Sequence, residues 1–225
     1  MKSYDWLLFD LDNTLLDFNA SSRVAFFSIF PELVDGDYVL YREFNHAVWV
    51  AFENGHITKE VLKLKRWSDF FEAKGMDADP RQVNDQYFEH IKMHPLYIEG
   101  AFQLIKDLLE TYRLCIITNG LSEVQTSRLE LSGINSLIEH IVISDTIGVA
   151  KPEEAFFDHT FELIGRPMRE DVLVIGDTLT SDIRGGIEYG TDTCWYNYYK
   201  GENETTYRPT YVVKDIQELR RLLLR

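Results

Sequence analysis

Trp6-Leu7-Leu8-Phe9 is an uninterrupted apolar run that stops abruptly at Asp10. An apolar run this short, with no polar alternation, is the pattern of a strand buried on both faces. Beyond Leu16 the periodicity changes. From Asn19 to about Met93 apolar positions recur at helical spacing: Tyr41, Phe44, Val48 and Phe52 share one face, and Val61, Leu64 and the Trp67/Phe71 pair share another. Punctuation at Asp35-Gly36, Asn54-Gly55, Gly75 and Pro80 divides this block into four helices and leaves no strand in it.

After the helical block, strands and helices alternate. Helices are expected near Ala101–Tyr112, at Ser122–Leu131, from Pro152 to about Ile164, at Ser181–Tyr189 and at Ile216–Leu224. Strands are expected at Leu114–Ile117, His140–Ile143, Val172–Ile175 and Thr193–Tyr196. Alternation with short connections predicts an α/β fold, a Rossmann-like, mostly parallel sheet covered on both faces. The expected organisation is one α/β domain from residues 1–16 and 95–225, with a four-helix insertion at 17–94 after the first strand.

Ligands of an open parallel sheet bind outside the carboxyl ends of its strands. Asp10, Asp12 and Thr14 follow the first strand, and Thr118, Asn119 and Gly120 follow the second. Lys151-Pro152 comes a short loop beyond the third, and Gly176-Asp177, with Asp182 five residues on, follows the fourth. Taken singly, each has an ordinary structural reading. Asp, Asn and Thr favour turns, Pro152 suits the first turn of a helix, and Asp182 could offset a helix dipole. Together, at equivalent strand ends, they suit phosphoryl chemistry.

A phosphate monoester is dianionic and repels an anionic nucleophile. A hard cation held by carboxylates removes that obstacle and aligns the phosphoryl group. Asp10 and Asp177 are the expected metal carboxylates, with one Asp10 oxygen free to attack phosphorus. Asp12, two residues on, is placed to protonate the leaving oxygen and then to deprotonate water. Lys151, the Thr118 hydroxyl and the backbone N–H groups around Asn119 and Gly120 would stabilise the equatorial oxygens.

Charge narrows the substrate. With 23 Lys+Arg against 37 Asp+Glu the net charge is −14, which repels nucleic-acid backbones and anionic membranes and favours a small phosphorylated molecule. Cys115 and Cys194 lie in apolar runs that read as buried strands, and a disulfide framework is not expected. No apolar run approaches a membrane span, and residues 1–9 lack the pattern of a secretory signal, so the cytoplasm is the expected compartment.

Four motifs in order, Asp10-Leu11-Asp12-Asn13-Thr14, Ile117-Thr118-Asn119-Gly120, Lys151-Pro152 and Gly176-Asp177 through Asp182, resemble the signatures of the haloacid dehalogenase superfamily. That resemblance implies an α-helical cap inserted after the first motif, Mg2+ as cofactor with Mn2+ able to substitute, and an aspartyl-phosphate intermediate. It implies further that the metal takes the backbone carbonyl of Asp12, and that Asp182 acts among the metal ligands or just behind them. A narrower similarity runs through Trp49-x-x-Phe52-x-Asn54-Gly55-x-Ile57-Thr58, Gln125-x-x-Arg128-Leu129-Glu130, Ser181-Asp182-Ile183-Arg184-Gly185-Gly186 and Thr193-Cys194-Trp195 with Asn197. It resembles bacterial pyrimidine-nucleotide 5′-nucleotidases and implies pyrimidine nucleoside monophosphates as substrates.

The alternatives are a phosphatase of a sugar phosphate, phosphoglycolate or phosphoserine, and a phospho-accepting signalling receiver. A dehalogenase has no leaving oxygen to protonate and so no use for Asp12. The length of the chain, the large insertion and the second Asp of the first motif argue against a receiver. The aromatic wealth of the insertion, from Phe26 to Phe71, is expected mainly to build that unit's own core.

Overall fold

The structure, a computed structural model, describes residues 2–224. Six parallel strands lie in the order β3-β2-β1-β4-β5-β6: β1 (Trp6–Phe9), β2 (Arg113–Thr118), β3 (His140–Ile143), β4 (Val172–Gly176), β5 (Asp192–Tyr196) and β6 (Tyr211–Val213). Four helices, α1 (Phe18–Ile29), α2 (Asp35–Glu53), α3 (Lys59–Lys74) and α4 (Pro80–Met93), are inserted between β1 and β2. The remainder are α5 (Ala101–Leu108), α6 (Ser122–Ser132), α7 (Ser144–Ile147), α8 (Glu154–Leu163), α9 (Arg184–Tyr189) and α10 (Ile216–Leu223). The chain forms two compact units. One takes the sequence up to Phe18 and again from Pro95, and the other is Asn19–His94. No described helix is long and apolar enough to cross a membrane.

Sheet topology places the chemistry. β1 pairs with β2 on one side and β4 on the other, with Phe9 in register with Ile116 and Ile175. The chain builds outward from β1 through β2 to β3 and then crosses to β4 on the other side of β1, so the crevice at the topological switch point opens at Asp10. Every residue of β1 is buried, because alternate side chains enter different cores. Leu7 and Phe9 join Leu104, Ile105, Leu219 and Leu223 from α5 and α10. Trp6 and Leu8 join Phe156, Phe157 and Phe161 of α8. Both cysteines are free and buried in the strands.

Several local expectations need correction. Pro152 does not open α8: it follows a cis Lys151–Pro152 bond in a turn, and α8 starts at Glu154. The segment after Asp177 is a π-helical turn, Leu179–Ile183, before α9. β6 was not foreseen, since three residues at the sheet edge, with Val212 half exposed, carry too little pattern.

The buried face of α3 runs through Leu62, Arg66, Trp67, Phe70 and Phe71, whereas Val61 is exposed. Arg66 can lie inside because Asn84 Oδ1 and Asn45 Oδ1 accept from its guanidinium at 2.6 and 3.2 Å. Apolar spacing is blind to a core arginine. The aromatic core of the insertion is as expected: Phe26, Tyr41, Trp67 and Phe70 are fully buried, with Tyr41 stacked on Trp67 at 4.4 Å.

Candidate active site

Asp10 follows β1 directly, and its backbone N–H continues the sheet pattern by donating to Ile175 O at 2.8 Å. Its two carboxylate oxygens have different partners. Oδ2 accepts from the Thr14 hydroxyl at 3.1 Å, and Oδ1 accepts from Lys151 Nζ at 2.8 Å. Lys151 spends its other two protons on Asp182 Oδ1 at 2.6 Å and the Ile117 carbonyl at 2.9 Å. An ammonium has three donors, so this one is saturated and its position is fixed.

Asp182 is buried behind Asp10. Its Oδ2 accepts from the backbone N–H of Thr178 at 3.1 Å, which closes the π-helical turn back onto the end of β4. Gly176 makes this approach possible: a Cβ there would lie 2.3 Å from Asp182 Cγ. Asp177 faces the same cluster, its loop held by Trp195 Nε1 donating to the Asp177 carbonyl at 2.8 Å. Oxygens of Asp10, Asp177 and Asp182 all lie within 4.8 Å of one another.

Electrostatics make this cluster incomplete as a set of charges. Burial pushes the Asp10 carboxyl up to about 7; the Lys151 ammonium pulls against this, while Asp182 and Asp12 add to it. Burial, then the charges of Asp10 and Asp182, hold Asp177 well above the usual carboxylate range. Burial alone would lower Lys151, but the two carboxylates it touches raise it above its ordinary value. Three clustered carboxylates share one ammonium. Two negative charges are left over, all the donors are hard oxygens, and a divalent cation of the Mg2+ type fits them.

Thr118 ends β2. Its oxygen accepts from the Gly120 N–H at 3.1 Å and from Gln125 Nε2 at 3.0 Å. With both acceptor directions taken, the hydroxyl proton is the group left to donate to a ligand. Asn119 reaches across to the loop of the lysine and bonds the Lys151 backbone twice. Asp12 is half buried and turned toward α6, where Gln125 and Arg128 hold its two oxygens.

The fold thus gathers Asp10, Lys151, Asp177 and Asp182 into one cluster, and links Asp12 to Thr118 through Gln125. Thr14, which strand-end reasoning noted without giving it a role, donates to Asp10, and Thr178, Gln125 and Arg128 are participants that it passed over. For the last two a signal existed in the sequence: a glutamine and an arginine three apart on a helix that presents Val124 and Leu129 to the interior.

The chain is similar to known proteins along nearly its whole length. Residues 7–196 match the family model of haloacid dehalogenase-like hydrolases. The chain is 34% identical to the pyrimidine 5′-nucleotidase YjjG of Escherichia coli over 98% of both chains. It is 36% identical to the pyrimidine 5′-nucleotidase PynA of Streptococcus pneumoniae, covering 96% of this chain and 93% of that one. A crystal structure of YfnB from Bacillus subtilis, bound to magnesium, superposes with a TM-score of 0.92 at 35% identity over the full length of both chains.

Proposed function

The chain belongs to the haloacid dehalogenase-like hydrolases, and from that premise we propose that it is a phosphoric monoester hydrolase acting on pyrimidine nucleoside 5′-monophosphates, with Asp10 as nucleophile. The observation that carries the reading is the Lys151 ammonium tying Asp10 to Asp182 beside Asp177, with Thr118 and a second acid, Asp12, at the same end of the sheet.

In the first half-reaction an Asp10 oxygen attacks phosphorus, and the bond from phosphorus to the nucleoside oxygen breaks. Asp12 gives its proton to that leaving oxygen. The Thr118 hydroxyl donates to an equatorial oxygen, and the fixed positive charge of Lys151 stabilises the phosphoryl group as negative charge builds on it. In the second, water gives a proton to Asp12 and attacks phosphorus, the bond to Asp10 breaks, and inorganic phosphate departs. A divalent cation, Mg2+ or in its place Mn2+, would be held by Asp10 and Asp177, with Asp182 and the Asp12 carbonyl beside them, and would supply charge neutralisation and alignment of the phosphoryl group.

The pyrimidine assignment is supported by YjjG and PynA, both named for that activity, at 34% and 36% identity over nearly the whole chain. It is supported also by the motif similarity that extends into the insertion at Trp49, Phe52, Asn54 and Gly55. Selection of one ring over two would rest on exclusion by volume more than on hydrogen bonds to the base. Phosphate release from deoxyuridine, thymidine, deoxyadenosine and deoxyguanosine monophosphates, beside a sugar phosphate, tests this. The expected order of kcat/KM puts both pyrimidines above both purines. Equal rates on purines, or preference for the sugar phosphate, would sink the nucleotide assignment while leaving the phosphohydrolase standing.

A further inference from the structure

Asp12 does not stand free. Its Oδ2 accepts from Gln125 Nε2 at 2.7 Å, and its Oδ1 accepts from Arg128 Nη1. The two donors lie one turn apart on α6 and face the same way. Arg128 Nη1 also donates to Gln125 Oε1 at 2.8 Å, which locks them to each other. Gln125 passes a second bond to Thr118 Oγ1 at 3.0 Å, so the acid–base group and the phosphate-binding hydroxyl share one anchor. Room for that anchor depends on Gly120, where a Cβ would lie 2.2 Å from Gln125 Nε2.

Arg128 is 0% exposed, and its Nε and Nη2 have no hydrogen-bond partner among the described residues. A buried guanidinium with unmet donors is costly, and a buried ion pair is weak evidence of a role in stability. What the arginine does here is aim a carboxylate.

We propose that Gln125 and Arg128 are positioning residues that set the direction of the Asp12 carboxylate for both proton transfers. This rests on the reading of Asp12 as general acid and base, and goes beyond it by naming what orients that group.

The two half-reactions separate the effect from a general structural one. p-Nitrophenolate departs without a proton, so phosphoryl transfer from p-nitrophenyl phosphate to Asp10 does not need an aligned Asp12. Water attack on the phosphoenzyme does. Rapid-quench measurement of phosphoryl group gained and lost by the Mg2+-loaded protein reads each step. We compare Arg128→Lys, which keeps the charge but not the planar fork, Gln125→Met, Asp12→Asn, and Asp12→Asn combined with Arg128→Lys.

The expected result in Arg128→Lys is gain of label at the wild-type rate and loss slowed by about a hundredfold, the scale of a general base; Gln125→Met, which also frees Thr118, should slow gain as well, but loss by the larger factor. The double variant should lose label no more slowly than Asp12→Asn alone, because the arginine acts through the carboxylate. Equal slowing of gain and loss, wild-type loss, or an additive effect in the double variant would overturn the proposal. The amplitude of gain counts folded sites, so if Arg128→Lys fails to fold, Gln125→Met decides. If Asp12→Asn itself loses label at the wild-type rate, the acid–base reading fails and the positioning role falls with it.

Discussion

Asn119 closes a ring with the backbone of Lys151: its Oδ1 accepts the Lys151 N–H and its Nδ2 donates to the Lys151 carbonyl, both at 2.9 Å. The pairing imitates a strand ladder between two loops that share no strand, and it fixes where the lysine side chain begins. The far end of that side chain is fixed by Asp10, Asp182 and the Ile117 carbonyl.

Asn119→Ala removes both bonds and leaves a backbone donor and acceptor unmet, at a cost of about 1–3 kcal/mol for the group left unsatisfied. We expect kcat/KM to fall by about tenfold to a hundredfold, carried mainly by kcat, with a small fall in melting temperature. Steady-state kinetics alongside thermal unfolding checks this. A change confined to KM would point instead to direct substrate binding by the amide.

Gly176→Ala places a Cβ 2.3 Å from Asp182 Cγ. Asp182 cannot simply swing away, because Lys151 and the Thr178 N–H hold both its oxygens. Overpacking of this kind costs about 1–3 kcal/mol, and the displaced carboxylate should take activity with it. Gly36→Ala, in the first turn of α2 with nothing within 4 Å of its added Cβ, is the control. It should leave stability unchanged or raise it by up to about 1 kcal/mol. Equal melting temperatures for wild type and Gly176→Ala would count against the close packing.

The crowded carboxylates predict opposite effects of one substitution with and without metal. In chelator, Asp177→Asn should raise the melting temperature, since it removes a carboxylate penalised first by burial and then by Asp10 and Asp182. Mg2+ should stabilise the wild type and leave Asp177→Asn nearly unaffected. Asp12→Ala should keep the Mg2+ response while losing turnover, because the contact expected there is from the backbone. Activity should vanish in chelator and return with Mg2+ or Mn2+. Full activity after exhaustive chelation and dialysis would remove the metal from the account.

The sheet was legible because its central strands are buried on both faces, so Trp6–Phe9 and Val172–Ile175 stand out as apolar runs. The polar residues at their carboxyl ends were legible for the same reason, since Asp10 and Thr118 interrupt runs that the interior would otherwise continue. Less visible was everything that depends on a side chain meeting a distant one. Arg66 and Arg128 look like surface residues in sequence, yet both are buried, Arg66 on a partner 18 positions away and Arg128 on one 116 positions away. β6 is short and lies at the edge of the sheet, where Val212 is half exposed, and its composition carries little periodic signal.

The phosphoryl group on Asp10 is the centre of the account. Asp12→Asn protein should accumulate it, because formation from p-nitrophenyl phosphate needs no acid while release needs a base. Quenching that variant during turnover with Mg2+ and treating it with borohydride converts an acyl phosphate to an alcohol and leaves free carboxylates unchanged. Peptide mass spectrometry should then find the reduced side chain at position 10 alone, dependent on substrate, and absent when Asp10→Asn is added. Reduction at Asp12 or Asp177, or none anywhere in protein that still releases phosphate, would contradict Asp10 as the nucleophile.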